Sequence, residues 1–234
     1  MRQIKVQSIS QQIEINGDEA KHLIYSLRSK VGERIKVIDQ SGQRALVELV
    51  DFTKDKVTAQ LVEILPTRQQ ENITLAVAIP KRGLDDLIRQ ATEIGVSSIQ
   101  PLITERTIAK PSSAKQERWQ RIAKEAAEQS GAIEPTIKPL ITLTEYAKQL
   151  SGQVIICNET EEHRQITEIN FSDEVTIIIG CEGGFSENEI KLLEEYGAVS
   201  ITLGENILRV DTAAIVALSI IKLTCCASKK ANLA

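Results

Sequence analysis

Aromatic side chains are scarce in this 234-residue chain: Phe, Trp and Tyr together make up 3% of it. The core must therefore be aliphatic, and a nucleic-acid platform built on stacked rings is disfavoured. Histidine occurs only at His22 and His163, and the cysteines, Cys157, Cys181, Cys225 and Cys226, form no CxxC pair. That pattern lacks the ligand spacing of a zinc site, so no metal is expected. The N-terminus has no long apolar run of the kind that opens a secretory signal. The longest apolar stretch, residues 213–218, is too short to span a bilayer. No membrane association is expected, and reduced thiols in the cytoplasm are the default. There is neither a GxGxxG fingerprint nor a P-loop lysine, which argues against a dinucleotide oxidoreductase or a nucleoside triphosphatase.

What is present is enough for a real core: 42% of residues are hydrophobic. The length fits one large or two modest domains. Formal net charge is -4, but it is unevenly spread. Residues 1–131 hold 20 Lys plus Arg against 17 Asp plus Glu, whereas residues 132–202 hold 4 against 13. A polyanion is therefore expected to meet the first half or the tail, away from the acidic segment.

The first 66 residues read as short, partly alternating strands at residues 2–6, 12–15, 34–38, 44–50 and 57–64. A turn is expected at residues 40–43, and a short helix at 18–27 with Asp18 as its cap. This pattern suggests a small β-barrel. A polar link at residues 66–72 marks a boundary, giving domains 1–68 and 69–234. Beyond it the rhythm changes. Apolar runs at 73–79, 98–103, 154–157, 175–179 and 200–202 alternate with helical patterns. Leu84, Leu87, Ile88, Ala91 and Ile94 share one helical stripe that Gly95 ends. A long helix carrying Trp119 runs to about Ser130, a short one spans 141–150, and a last one spans 212–225 with Asp211 as cap. Strands alternating with helices predict an α/β fold with a mostly parallel sheet covered on both faces.

Residues 175–190 hold the sharpest local signal. An uncharged β-branched run is followed by Gly180, Gly183 and Gly184, and then by Ser186 and Glu189 at capping-box spacing. A strand thus ends in a glycine loop and passes into a helix N-terminus, the usual place for a small ligand in an open α/β sheet. Two more strand exits matter: the chain after Cys157, and Leu203-Gly204 leading through Ile207, Leu208 and Arg209 to the last helix. Three exits of this kind are expected to form one cleft lined mostly by backbone groups.

These residues carry a resemblance. The chain resembles the 16S ribosomal RNA uridine N3-methyltransferases, a branch of the knotted SPOUT superfamily. Gly180 to Gly184 stand where that family has Gly-Pro-Glu-Gly-Gly. Leu203-Gly204 and Ile207-Leu208-Arg209, with Thr212-Ala213, follow its second loop pattern, and Ala91-Thr92-Glu93-Ile94-Gly95 is similar to a third. The chain departs at Cys181 (usually proline), Gln90 (lysine), Ala132 (arginine), Asn206 (arginine) and Asp211 (glutamate).

The resemblance implies an N-terminal PUA-like barrel that holds RNA and a C-terminal domain tied in a trefoil knot. It implies S-adenosyl-L-methionine as cofactor, small-subunit ribosomal RNA as partner, alone or in the assembled subunit, and a homodimer. Carried onto this sequence, the cofactor loops comprise Gly180, Glu182, Gly183, Gly184, Leu203, Gly204, Ile207, Leu208 and Thr212. Glu182 either orders its loop or faces the methionine ammonium. Arg209 is the catalytic candidate, able to offset charge developing on uracil or to grip phosphate, with a plain salt bridge to Glu205 or Asp211 as the other reading. Arg28, Lys30 and Arg106 are candidate RNA contacts. Two alternatives stay open: another SPOUT methyltransferase acting on ribose 2′-oxygen or a different base, or a cofactor-binding RNA module without turnover.

Overall fold

Alternating strands and continuous apolar runs end up in two different sheets. The structure, a computed structural model, describes residues 3–39, 42–66, 71–108 and 113–231. The turn expected at 40–43 and the link expected at 66–72 fall partly outside the described residues. Two units separate: residues 1–69 with 129–131, and residues 70–128 with 132–234.

The first unit holds β1 (Gln3–Lys5), β2 (Gln12–Asn16), β3 (Arg34–Ile38), β4 (Arg44–Phe52) and β5 (Lys56–Leu65), in the order β1-β3-β4-β5-β2. β1 pairs with β3 in parallel, and the remaining pairs are antiparallel. It is a half-barrel whose edge strands are β1 and β2, with register shifts in the β4–β5 pair that favour bending. Alternation puts Ile13, Ile15, Ile35, Val37, Ala45, Val47 and Leu49 into one core. The helix after β2 differs from expectation. α1 (Gly17–Lys21) has Asn16 at its N-cap and Asp18 inside its first turn, and it continues as a π-helical turn, His22–Ser26. Asn16 is the last residue of β2, and helical backbone starts directly after it, which leaves Asp18 no capping position.

In the second unit β6 (Asn72–Ala78), β7 (Ser98–Ile103), β10 (Gln153–Cys157), β11 (Glu174–Ile179) and β12 (Val199–Ile201) form the expected parallel sheet. Two-residue strands β8 (Thr136–Ile137) and β9 (Ile141–Thr142) extend it beside β7. The order is β12-β10-β11-β6-β7-β8. Strand side chains alternate between two cores. Leu75, Val77, Ile155, Ile177 and Ile179 join one, with Trp119 and Leu218. Ala76, Val154, Ile156 and Ile178 join the other, with Leu143 and Leu193. Burial on both faces is why these strands read as unbroken apolar runs.

The helices are α2 (Leu84–Ile94), α3 (Ser113–Ser130), α4 (Leu143–Ala147), α5 (Glu187–Glu195) and α6 (Val210–Ala231). Gly95 ends α2 in the left-handed region, at φ 96°. α4 is shorter than the helix expected at 141–150, because the Thr142 hydroxyl accepts from Glu145 N–H and leaves Ile141–Thr142 extended against β7. α6 starts earlier than expected. Ala213 N–H already donates to Arg209 C=O at 2.8 Å, so Asp211 lies in the first turn and does not cap it.

Candidate functional site

The connections from β6 and β11 leave in opposite directions. From β6 the chain passes through α2 to β7; from β11 it passes through α5 to β12, on the other side. Such a reversal opens a crevice at the C-terminal ends of adjacent strands. A cavity of about 1200 Å³ lies there, lined by the exits of β6, β10, β11 and β12. That is ample for a small molecule, for which clefts of roughly 300–1,000 Å³ are typical.

The glycine loop after β11 is tight. A Cβ on Gly180 would stand 3.2 Å from the backbone of Gly184, and Gly184 itself sits at φ 67°. Gly184 N–H donates to Cys181 C=O at 2.9 Å, closing the turn. Ser186 and Glu189 then form the expected capping box of α5.

Side chains from the neighbouring exits hold this loop from outside. Glu182 Oε1 accepts from the N–H of Lys81, after β6, at 2.8 Å. Arg106, after β7, donates from Nη1 to the carbonyl of Gly183. Buried Glu189 also accepts from Glu105 N–H at 2.8 Å, tying the start of α5 to the β7 exit. The Glu159 carboxylate, after β10, lies over Gly184, 2.6 Å from where a Cβ would be. Bonds of this kind fix the backbone of the loop in one shape.

The exit of β12 supplies the opposite chemistry. Thr202 Oγ1 donates to Gly204 C=O at 3.0 Å and accepts its N–H at 3.2 Å. Gly204 at φ 124° then releases the chain into an exposed segment. Ile207 is 81% exposed and Leu208 half-buried, an apolar pair on the cavity wall. Arg209 is exposed and makes no ion pair among the described residues, so the salt bridge to Glu205 or Asp211 is not formed.

Gly180, Glu182, Gly184, Leu203, Gly204, Ile207, Leu208 and Arg209 all line the cavity. Gly183 and Thr212 do not: Gly183 turns its carbonyl to Arg106, and Thr212 N–H donates to Asp211 Oδ1 at 2.9 Å. Arg28 and Lys30 lie exposed on the first unit, just after the π-helical turn. Asn158 to Thr160, in the exit expected after Cys157, line the same cavity; so do Pro80 to Gly83, which no motif in the sequence singles out. Treating every strand exit alike would find the latter, since they follow closely on β6. Cys157 is in the wall too, and burial pushes its thiol up to about 12. Among the described residues no cluster suits a metal ion, and no helix is long and apolar enough to cross a membrane.

The comparisons with known proteins agree with this geometry. Residues 67–222 match the RNA methyltransferase domain family, and residues 15–62 match the RNA methyltransferase PUA domain. A ribosomal RNA small subunit methyltransferase E of Synechocystis sp. is 37% identical over 205 residues, 82% of this chain and 67% of that protein. One from Rickettsia conorii is 36% identical over 220 residues, 90% of this chain and 89% of that protein. The crystal structure of a ribosomal RNA small subunit methyltransferase E from Neisseria gonorrhoeae, bound to S-adenosyl methionine, is similar with a TM-score of 0.74 and 28% identity, covering 95% of this chain and 97% of that one. With the paired strand-exit loops in place and relatives matching along most of its length, this chain belongs to the ribosomal RNA small subunit methyltransferase E family.

Proposed function

We propose that this protein methylates N3 of a uridine in 16S ribosomal RNA, using S-adenosyl-L-methionine. The observation that carries the reading is the cleft itself, where four strand exits of a family member converge on one preorganised glycine loop. The residues fit the cofactor: a glycine turn in which a Cβ on Gly180 would crowd the Gly184 backbone lets main-chain groups come close, and Ile207-Leu208 offer an apolar flank for adenine. Gly180, Gly183, Gly184, Leu203 and Gly204 shape that cradle, Glu182 fixes it through Lys81 N–H, and Thr212 supports it from the start of α6.

The cofactor, when bound, supplies an activated methyl group on a sulfonium. The chain's part is alignment and charge. The acceptor is held in line at near-contact distance, the larger share of the rate effect. Arg209, exposed and without an ion pair among the described residues, faces the uracil and offsets the negative charge that grows as N3 gives up its proton to solvent. A guanidinium stays protonated, so it is no general base.

Arg28 and Lys30 on the half-barrel contact RNA phosphate, and Arg106 reaches RNA with the donors not used on Gly183. The active form is a metal-free, cytoplasmic homodimer whose last segment is threaded as a trefoil knot. Labelled methyl transfer onto 16S rRNA and onto assembled small subunits, with mapping of the modified nucleotide, tests the reading. N3-methyluridine is the expected product. A 2′-O-methyl or another base would move the chain to a different SPOUT activity; cofactor affinity without transfer would leave a binding module.

A further inference from the structure

The cations around the cleft divide into those already engaged and those still free. Arg106 is engaged with Gly183 C=O. Lys81, Arg82, Lys191 and Arg209 line the cavity, are exposed, and have no side-chain partner among the described residues. Two of these four are neighbours on one short turn. Lys81, Arg82 and Gly83 stand exposed between buried Pro80 and buried Leu84. The turn is fixed at both ends: Glu182 Oε1 holds Lys81 N–H at 2.8 Å, and Leu87 N–H donates to Gly83 C=O at 3.0 Å. The nearest acids on the following helix are engaged elsewhere. Asp85 pairs with Arg118 and accepts from Trp119 Nε1, and Asp86 pairs with Arg89. A turn fixed at both ends therefore carries two cations without a side-chain partner among the described residues, in a cleft also lined by Glu159, Glu182, Glu187, Glu194, Glu205 and Asp211. A polyanion entering past those carboxylates needs a fixed positive edge to meet.

We propose that Lys81 and Arg82 are that edge: they grip the phosphates flanking the target nucleotide of single-stranded RNA and so position the acceptor. Glu182 then acts as a positioning residue, linking the grip to the glycine loop through the Lys81 main chain. This inference rests on the reading of the cleft as an RNA methyltransferase site. Its chemistry is charge-assisted hydrogen bonding to phosphate, bidentate at Arg82.

The test is the double variant Lys81→Gln/Arg82→Gln, with Lys81→Arg/Arg82→Lys as the charge-preserving control. Three quantities are read: cofactor affinity by calorimetry, affinity of the cofactor-loaded protein for a short uridine-containing RNA by anisotropy, and KM and kcat for methyl transfer. The double Gln variant is expected to keep cofactor Kd within about twofold while RNA Kd and KM rise about tenfold or more. The salt slope of log RNA affinity should fall by about 1.4, because two phosphates of a single strand are no longer neutralised. The charge-preserving control should restore most of the affinity. A tenfold loss of cofactor affinity would show that the turn serves the cofactor alone, and unchanged RNA affinity with an unchanged salt slope would remove the grip. Because RNA affinity is read directly, a wild-type protein that binds RNA but transfers no methyl would fail the methyltransferase reading while still deciding this one.

Discussion

The two units expose their candidate residues in opposite ways. On the half-barrel they are exposed side chains, Arg28 and Lys30, just after the π-helical turn. In the parallel-sheet unit the candidate site is main chain, and side chains from neighbouring exits hold its shape. The difference teaches where each unit is fragile. A site made of side chains gives up one interaction per substitution, whereas a site made of backbone loses its geometry all at once.

The largest effect should come from the glycine crowded by main chain. A Cβ at Gly180 meets main-chain atoms of Gly184, which cannot swing aside, while one at Gly183 meets only the Arg106 side chain. Gly180→Val is therefore expected to lower the rate of methyl transfer by about a hundredfold or more, as a displacement of about 1 Å is enough to do, and to weaken cofactor binding with it. Gly183→Ala should cost far less, because Arg106 can shift. Calorimetry on both variants breaks the comparison if their losses are equal.

Arg209→Ala sharpens it from the other side. This residue is a side chain in the backbone-built unit, and its loss should lower kcat by about 10²–10³ while cofactor affinity stays within a few-fold. Single-turnover rates beside calorimetry check this. Loss of cofactor affinity with unchanged kcat would reassign Arg209 to the cradle.

Legibility in the sequence follows the same divide. The strands of both sheets were readable because burial on one face leaves an alternation and burial on two leaves an unbroken apolar run. The Ser186–Glu189 capping box and the Gly95 stop were readable because their chemistry is local. The π-helical turn at His22–Ser26 was not, since nothing in its composition separates it from an α-helix. The β8 and β9 pairings were missed because two residues carry no period. Within the site, the glycine loops could be found but not what holds them. Glu182 meets Lys81 across 101 positions, and Arg106 meets Gly183 across 77. Only the strand order that places the β6 and β7 exits beside the β11 exit makes those bonds possible.

Arg28 gives a smaller and two-sided effect. Ten of the described residues with positive φ are glycines, and Arg28, at φ 52°, is the exception. It ends the π-helical turn, with Ser29 N–H donating to Leu23 C=O at 3.0 Å, and glycine would serve that stop with less strain. A side chain kept where the backbone disfavours it points to use of the guanidinium. Arg28→Gly should raise stability by a net of about 0.5 kcal/mol, after the entropy that glycine adds to the unfolded chain. For a unit of this size that is about 3 °C in Tm. RNA affinity should fall several-fold at the same time. A variant both less stable and unchanged in RNA affinity would make Arg28 an ordinary part of the scaffold.

The smallest effect concerns chemistry that the cleft wall suppresses. Cys157 lines the cavity, and burial raises its thiol from an ordinary 9.0 to about 12. The thiolate is the reactive form, so a rise of that size means about a thousandfold fewer thiolates at pH 8 than an exposed cysteine has. The sign is fixed: reactivity should climb with pH through 10 and beyond, and stay low at neutrality. Iodoacetamide labelling between pH 7 and 10, mapped to the peptide containing Cys157, reads it directly. Rapid labelling at pH 7 would mean that this wall takes part in chemistry through its side chains, and the contrast between the two units would then hold for their strand exits alone.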